Sequence, residues 1–324
     1  MSDKFIYQNA RIKSMESRLL GAQQLQRLAE ASSVREIQKM LGETGFGASA
    51  AGDGVGVDRL IEAEEKNALA LLKEFDADGA LTAFVLEADY LNLKALLKAS
   101  VTGEKNPVLG AEGLYTAEEL RAAIETDSRF LRPHMAEAVN AVEKLAAEGR
   151  LTPHGIDCTV DRAMYKDVSE VAGKGGKYVA DYFRFKTDCV NISTFLRCKK
   201  LGLSEKLFQE NFMSGGTLDE AFFLSVYEGT TDVFRDKCKY TPYRELVELV
   251  TEGGSLTAFE VAVDNRLLDM WRERKDDMFS CAPVVGFYFA KLAEIKAVKL
   301  IYAGVKNNVE PRLIKERMRE CYGA

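Results

Sequence analysis

Residues Asp89–Lys98 read DYLNLKALLK, Asp188–Arg197 read DCVNISTFLR, and Glu294–Ala303 read EIKAVKLIYA. Aligned on the acidic residue, the three stretches agree over a wider frame. Phe84, Phe183 and Phe289 stand five places before it; Asn92, Asn191 and Ala297 stand three after. Leu93, Ile192 and Val298 follow, then Leu96, Phe195 and Ile301. At a helical advance of about 100° per residue, Tyr90, Leu93 and Leu97 fall on one apolar stripe. Cys189, Ile192 and Leu196 match it, as do Ile295, Val298 and Tyr302. The chain therefore writes one amphipathic helix three times, and the fold class it predicts is all-α. Asp89 and Asn92 sit on one edge of the stripe and Lys94 on the other, so Asp89 and Lys94 lie too far around the helix to pair. Polar residues placed this way are expected to satisfy helix ends or loop backbone at a junction. A reactive centre would hardly be needed three times.

A second phrase repeats beside the first. Val57-Asp58-Arg59-Leu60 returns as Val160-Asp161-Arg162-Ala163 and as Val263-Asp264-Asn265-Arg266, at equal intervals of 103 residues (57 to 160, 160 to 263). Two phrases sharing a period of about 100 residues mark internal repeats. Unit one is expected over 57–159 and unit two over 160–262. Unit three, over 263–324, runs short and would be completed by residues 1–50. Leu19-Leu20-Gly21-Ala22-Gln23-Gln24-Leu25 parallels Leu114-Tyr115-Thr116-Ala117-Glu118-Glu119-Leu120, where Thr116 and Glu119 have capping-box spacing. Asn9-Ala10-Arg11 echoes Asn92-Leu93-Lys94 as a partial fourth copy. Residues 10–40 read as two helices, 45–56 as a glycine-rich connection, 57–75 as a helix opened by the Val-Asp phrase, and Thr217–Tyr227 as a short capped helix.

Composition narrows the function. The chain has 324 residues, 47% hydrophobic, which is enough for a sizeable core, and only 6 Pro. A net charge of −6 with no long basic block argues against nucleic acid as the main ligand. The longest uncharged apolar run, Cys281–Ala290, is about half of the roughly 20 residues a membrane span needs, and the opening residues carry no apolar signal core. A soluble, cytoplasmic protein is expected. Cys158, Cys189, Cys198, Cys238, Cys281 and Cys321 show no CxxC pairing and read as reduced thiols.

Several motifs resemble chemistry and do not complete it. Gly173-Lys174-Gly175-Gly176-Lys177 lacks the GxxxxGK spacing of a phosphate loop, and Tyr178 follows where Ser or Thr is required. Gly52-Asp53-Gly54-Val55-Gly56 has no preceding strand and reads as a linker. His134 and His154 each follow a Pro, with no Cys or second His at metal spacing in this reading. Trp271 reads as a packing anchor on an amphipathic helix. No catalytic, cofactor-binding or metal residue is assigned, and no cofactor is expected.

The stretch Ala293–Tyr322, AEIKAVKLIYAGVKNNVEPRLIKERMRECY, resembles the closing signature of the C subunit of A/V-type rotary ATPases, the d subunit of the eukaryotic vacuolar enzyme. Asp89–Lys98, Asn9–Ile12 and Ser17–Leu20 resemble the same family in the same order, so the likeness covers nearly the whole chain. Ala297 stands where the family usually carries Asn, Lys299 where it carries Arg, and Ser193 replaces a basic residue. The resemblance implies a funnel-like, all-helical, non-catalytic protein of three related domains. It implies one copy per complex, between central-stalk subunits of the D/F type and the membrane rotor ring. It also implies a place on the cytoplasmic face and transmission of torque for ATP-coupled H+ or Na+ transport. The charged helix expected over Glu310–Glu320 suits such a surface and equally a solvated face. The repeat taken alone would also serve a free helical adaptor for another partner, and the Gly173–Lys177 loop an enzyme.

Overall fold

Several helices begin where the sequence supplies a side-chain acceptor for their first N–H groups. Ser33, Thr116, Thr152, Ser204 and Asp219 each accept the N–H three residues on. The computed structural model describes residues 5–50, 54–76, 79–251 and 255–318. Among these it holds sixteen α-helices and no strand, the all-α class expected. In order they are α1 (Ile6–Glu16), α2 (Ala22–Ala29), α3 (Val34–Thr44), α4 (Val57–Phe75), α5 (Thr82–Thr102), α6 (Ala117–Glu125), α7 (Pro133–Ala147) and α8 (Pro153–Ala172). Then come α9 (Lys177–Leu201), α10 (Glu205–Asn211), α11 (Glu220–Leu224), α12 (Thr231–Cys238), α13 (Arg244–Thr251), α14 (Leu256–Arg272), α15 (Ala282–Lys306) and α16 (Pro311–Glu316). The three repeated stretches lie in α5, α9 and α15, the longest helices described.

Local punctuation departs from the sequence reading in four places. Residues 6–44 form three helices rather than two, because Gly21 and Ser33 both adopt extended N-cap geometry. The Val-Asp phrase opens α4, yet lies seven residues inside α8 and α14 (153 to 160, 256 to 263). The helix expected over 217–227 shrinks to α11, because Asp219 takes the cap. Within the charged stretch 310–320, helix α16 covers only 311–316; positions 319 and 320 lie outside the described residues. The glycine-rich connection turns on Gly45 and Gly47, both left-handed at φ +76° and +70°. A Cβ at Gly47 would also sit 2.7 Å from Leu60 Cβ, so only glycine fits there. Positions 51–53 lie outside the described residues.

The helices form two compact units, residues 1–77 with 264–324, and residues 78–263. The first, here the terminal unit, is built on α15, against which α1, α2, α3, α4 and α16 pack. Its core joins Leu20, Leu25, Leu28, Ile37, Leu41 and Phe46 to Leu60 and Ile61 of α4 and to Ile295, Val298 and Ile301 of α15. Ile314 of α16 lies on Gly304, where an added Cβ would come within 2.5 Å of its Cδ1. Trp271, buried, stacks on Phe289 with ring centroids 6.3 Å apart, the anchoring role read from sequence.

The other, the middle unit, holds α5 through α13 and the first turns of α14. Helix α8 packs on α5, α7 and α9. Phe84 of α5 meets Phe183 of α9 at 4.8 Å between centroids, so the matched Phe positions of two repeats touch. Asp167 of α8 accepts from Tyr90 at 3.1 Å and from Arg132 at 2.6 Å. Phe195 is fully buried among Phe208, Phe223, Tyr227 and Phe234, at centroid distances of 4.3 to 5.7 Å. Phe195→Leu keeps the site apolar but leaves four rings without their partner. A loss of about 1–2 kcal/mol is expected, read as a lower urea midpoint with unchanged slope.

Candidate functional site

The repeated acids define three sockets, each made by one long helix and the turn that begins a short one. Asp89, fully buried, accepts the N–H of Leu114 at 2.8 Å and of Tyr115 at 3.1 Å, just before the Thr116 cap of α6. Asp188, also fully buried, accepts the N–H of Thr217 at 2.9 Å and of Leu218 at 3.0 Å, just before the Asp219 cap of α11. It accepts further from the Thr217 hydroxyl and from Tyr243 Oη. Burial first, and then the Asp188 carboxylate, push the Tyr243 phenol far up, so it remains a donor. The third acid, Glu294, lies by the Leu20 N–H, just before Gly21, the N-cap of α2, near enough for that N–H to favour its charge though not in a formed hydrogen bond. That turn lies some 270 positions upstream in the chain, and it occupies the place that turns after the helix occupy in the other two repeats.

Glycine makes room in the first two sockets. A Cβ at Gly113 would lie 2.4 Å from Asp89 Oδ1, and one at Gly216 would lie 2.0 Å from Asp188 Oδ1. The matching place, three before the cap, is Arg18 in the third. There the acid is one methylene longer, and the Leu19 N–H goes to Glu16 O instead. Glu294 Oε1 lies 3.2 Å from Lys291 Nζ, while Oε2 is buried without a partner. Lys291 is shared with Glu64 of α4, whose Oε2 is 3.1 Å away and whose Oε1 accepts Gly47 N–H at 2.8 Å.

The asparagines hold the same connections one turn further on. Asn92 donates to Ala111 O at 3.1 Å and accepts Gly110 N–H at 2.8 Å; Asn191 does both with Met213, at 2.8 and 2.9 Å. Ala297 offers no such bond. Asn9, the echo at the start of the chain, instead donates to Met278 O and Ser280 O, fastening the turn ahead of α15. The basic edge engages the Val-Asp helices: Lys94 with Asp161, Lys299 with Glu65, and Tyr302 Oη with Asp58 at 2.7 Å. Ser193 provides no cation, and Asp264 faces Lys296 at 3.3 Å.

The remaining candidate motifs are structural. Gly173–Gly175 form a 3₁₀ turn between α8 and α9. Pro133 and Pro153 take the first positions of α7 and α8, which explains the Pro-His pairs. His134 lies between Glu170 at 2.7 Å and Glu137 at 3.2 Å; burial works against its charge, yet the two carboxylates prevail and raise its pKa. His154 does have a cysteine neighbour, which the sequence reading missed: Cys158, one turn on, with Sγ 3.4 Å from Nε2. Spacing of four on a helix was the available signal. No cluster of three or more metal-ligating side chains occurs among the described residues. Cys158, Cys189, Cys198, Cys238 and Cys281 are free thiols, and Cys321 lies outside the described residues. No helix among the described residues is long and apolar enough to cross a membrane.

The profile of the family described as ATP synthase (C/AC39) subunit matches residues 8–317. The chain is 26% identical to the C subunit of the V-type sodium ATPase of Enterococcus hirae, over 74% of each protein. It is 28% identical to the C subunit of the V-type ATP synthase of Thermus thermophilus, over 76% of this chain and 78% of that one. It is 24% identical to the C subunit of the A-type ATP synthase of Thermococcus gammatolerans, over 98% of this chain and 90% of that one. The chain belongs to the ATP synthase (C/AC39) subunit family, a non-catalytic subunit of A/V-type rotary ATPases.

Proposed function

We propose that this subunit joins the central stalk to the membrane rotor ring on the cytoplasmic side and carries torque between them, one copy per complex. Three modules, over 57–159, 160–262 and 263–324 completed by 1–50, would share the load. The observation that supports the reading is the socket. Two of the long helices fix a turn through a buried carboxylate and an asparagine, so connections that would otherwise move in solvent are tied to the core. A part that transmits torque needs junctions that do not yield, and it needs no reacting group of its own. Stalk subunits of the D/F type above and the ring below are the partners proposed. The coupled ion, H+ or Na+, would be selected by the ring.

Affinity purification of the chain from its native membranes, with mass spectrometry and an ATPase assay, tests this. Stalk, head and ring subunits are expected to accompany it with ATPase activity. Recovery with unrelated proteins, while intact ATPase remains elsewhere in the sample, would overturn the reading in favour of a free adaptor.

A further inference from the structure

The third socket differs from the other two in a way that its chemistry makes functional. In the first two, one carboxylate faces backbone N–H groups, with hydroxyls added around Asp188. In the third, two carboxylates, Glu294 and Glu64, face one ammonium, Lys291, and all three groups are largely buried. Glu294 Oε2 has no partner there, so Lys291 alone offsets a charge on this carboxylate and shares its own charge with Glu64. Glu64 and Lys291 also line a cavity of about 600 Å³ with Arg18, Phe46, Asn67 and Phe287, a route by which protons reach the cluster.

We propose that Glu294, beside Lys291 and Glu64, holds one exchangeable proton, and that its loss loosens the packing of α2 and α3 on α15. With the proton on Glu294, the site contains one ammonium and one carboxylate and is balanced. When the O–H bond breaks and the proton leaves to solvent, a second carboxylate stays behind in a buried site. The charged groups acting on Glu294 are Lys291 from its own helix and Glu64 from α4; the turn after α1 supplies the Leu20 N–H, with Arg18 exposed on the cavity wall. At the end of α1, Glu16 engages Lys13. On α2, Gln24 caps Gly21 and Glu30 pairs with Lys315 of α16, while on α3 Glu36 turns back to Ser32. Burial, which outweighs Lys291, pushes Glu294 up from 4.5 to about 6. A carboxyl raised in this way contributes stability that is full below its ordinary value and is lost as pH rises through about 6.

Hydrogen exchange on the whole protein between pH 5 and 8, corrected for intrinsic exchange, tests the proposal. Opening of the α2 and α3 amides, measured against α9 in the middle unit, should rise roughly eight-fold over that range, the part above pH 5 of the change that follows from a shift of about 1.5 pH units, with a midpoint near 6. Glu294→Gln should abolish that dependence. Glu64→Gln, which removes the neighbouring like charge, should lower the midpoint, and Lys291→Met should raise it. An unchanged pH dependence in Glu294→Gln would overturn the proposal, as would a flat wild-type profile. Should Glu294→Gln fail to fold, an unshifted midpoint in Glu64→Gln would overturn it equally.

Discussion

Replacing Asp188 with Ala is expected to destabilise the middle unit by about 4 kcal/mol. The carboxylate accepts four donors, and removing it leaves the half-buried Thr217 and Leu218 N–H groups without an acceptor. The Tyr243 and Thr217 hydroxyls lose their acceptor as well. Each stranded N–H costs on the order of 1–3 kcal/mol, and relief from holding a buried charge returns part of the total. No neighbouring backbone can move in to replace the carboxylate, because Gly216 already lies as close as a glycine permits. For a unit of 186 residues (78 to 263), a loss of this size corresponds to a fall of about 12 °C in midpoint. Circular dichroism melting measures it. Asp188→Asn should lose about half as much, since the amide oxygen serves one side of the socket while its NH₂ faces an N–H on the other. A change below about 1 kcal/mol in Asp188→Ala would mean that the turn holds itself, and that the socket is not what fixes it.

Much of this was readable in the chain before its coordinates. The three acidic residues and two asparagines were expected to satisfy backbone at a junction, which is the arrangement around Asp89, Asp188, Asn92 and Asn191. Their separation from Lys94 on the helix surface was legible too, because it depends only on helical angle. The likeness of Leu19–Leu25 to Leu114–Leu120 carried more than was taken from it. It marks the two turns beside Glu294 and Asp89, one at the start of the chain and one downstream of its helix.

What stayed hidden depends on distances that no local pattern encodes. The sharing of Lys291 between Glu64 and Glu294 joins residues more than 200 positions apart, and nothing in the spacing of α4 announces it. Nothing local marks the glycines at 113 and 216, since the carboxylates that forbid a Cβ there come from another helix. Short helices were misjudged for a different reason. Between residues 6 and 44 the apolar period continues across two caps, so Gly21 and Ser33 had to be given more weight than the periodicity. The Val-Asp phrase was read as a helix opening because a glycine precedes it at 56. In α8 and α14 the helix has started two turns earlier, and the phrase instead marks the part of the helix whose acid meets a lysine or tyrosine.

Deletion of residues 1–50 is expected to unfold the terminal unit altogether. Leu20, Leu25, Leu28, Ile37, Leu41 and Phe46 would leave its core, and each contributes about 1.5–3 kcal/mol on burial. Their sum, roughly 10 kcal/mol or more, reaches the whole stability usual for a folded domain. Ile295, Val298 and Ile301 would lose the surface that covers them, and Glu294 and Lys291 the turns at Leu20 and Gly47 that close their site. Trp271 is the only tryptophan in the chain, and it lies buried in this unit, so its emission reports the outcome without any label. A red shift to the emission of a solvent-exposed indole is expected, and a peptide of residues 1–50 added in trans should reverse it. Retained blue emission would show that α4 and α14 to α16 hold Trp271 unaided. The core itself argues against that result: α15 is apolar enough to need a cover, and α1, α2 and α3 supply much of it.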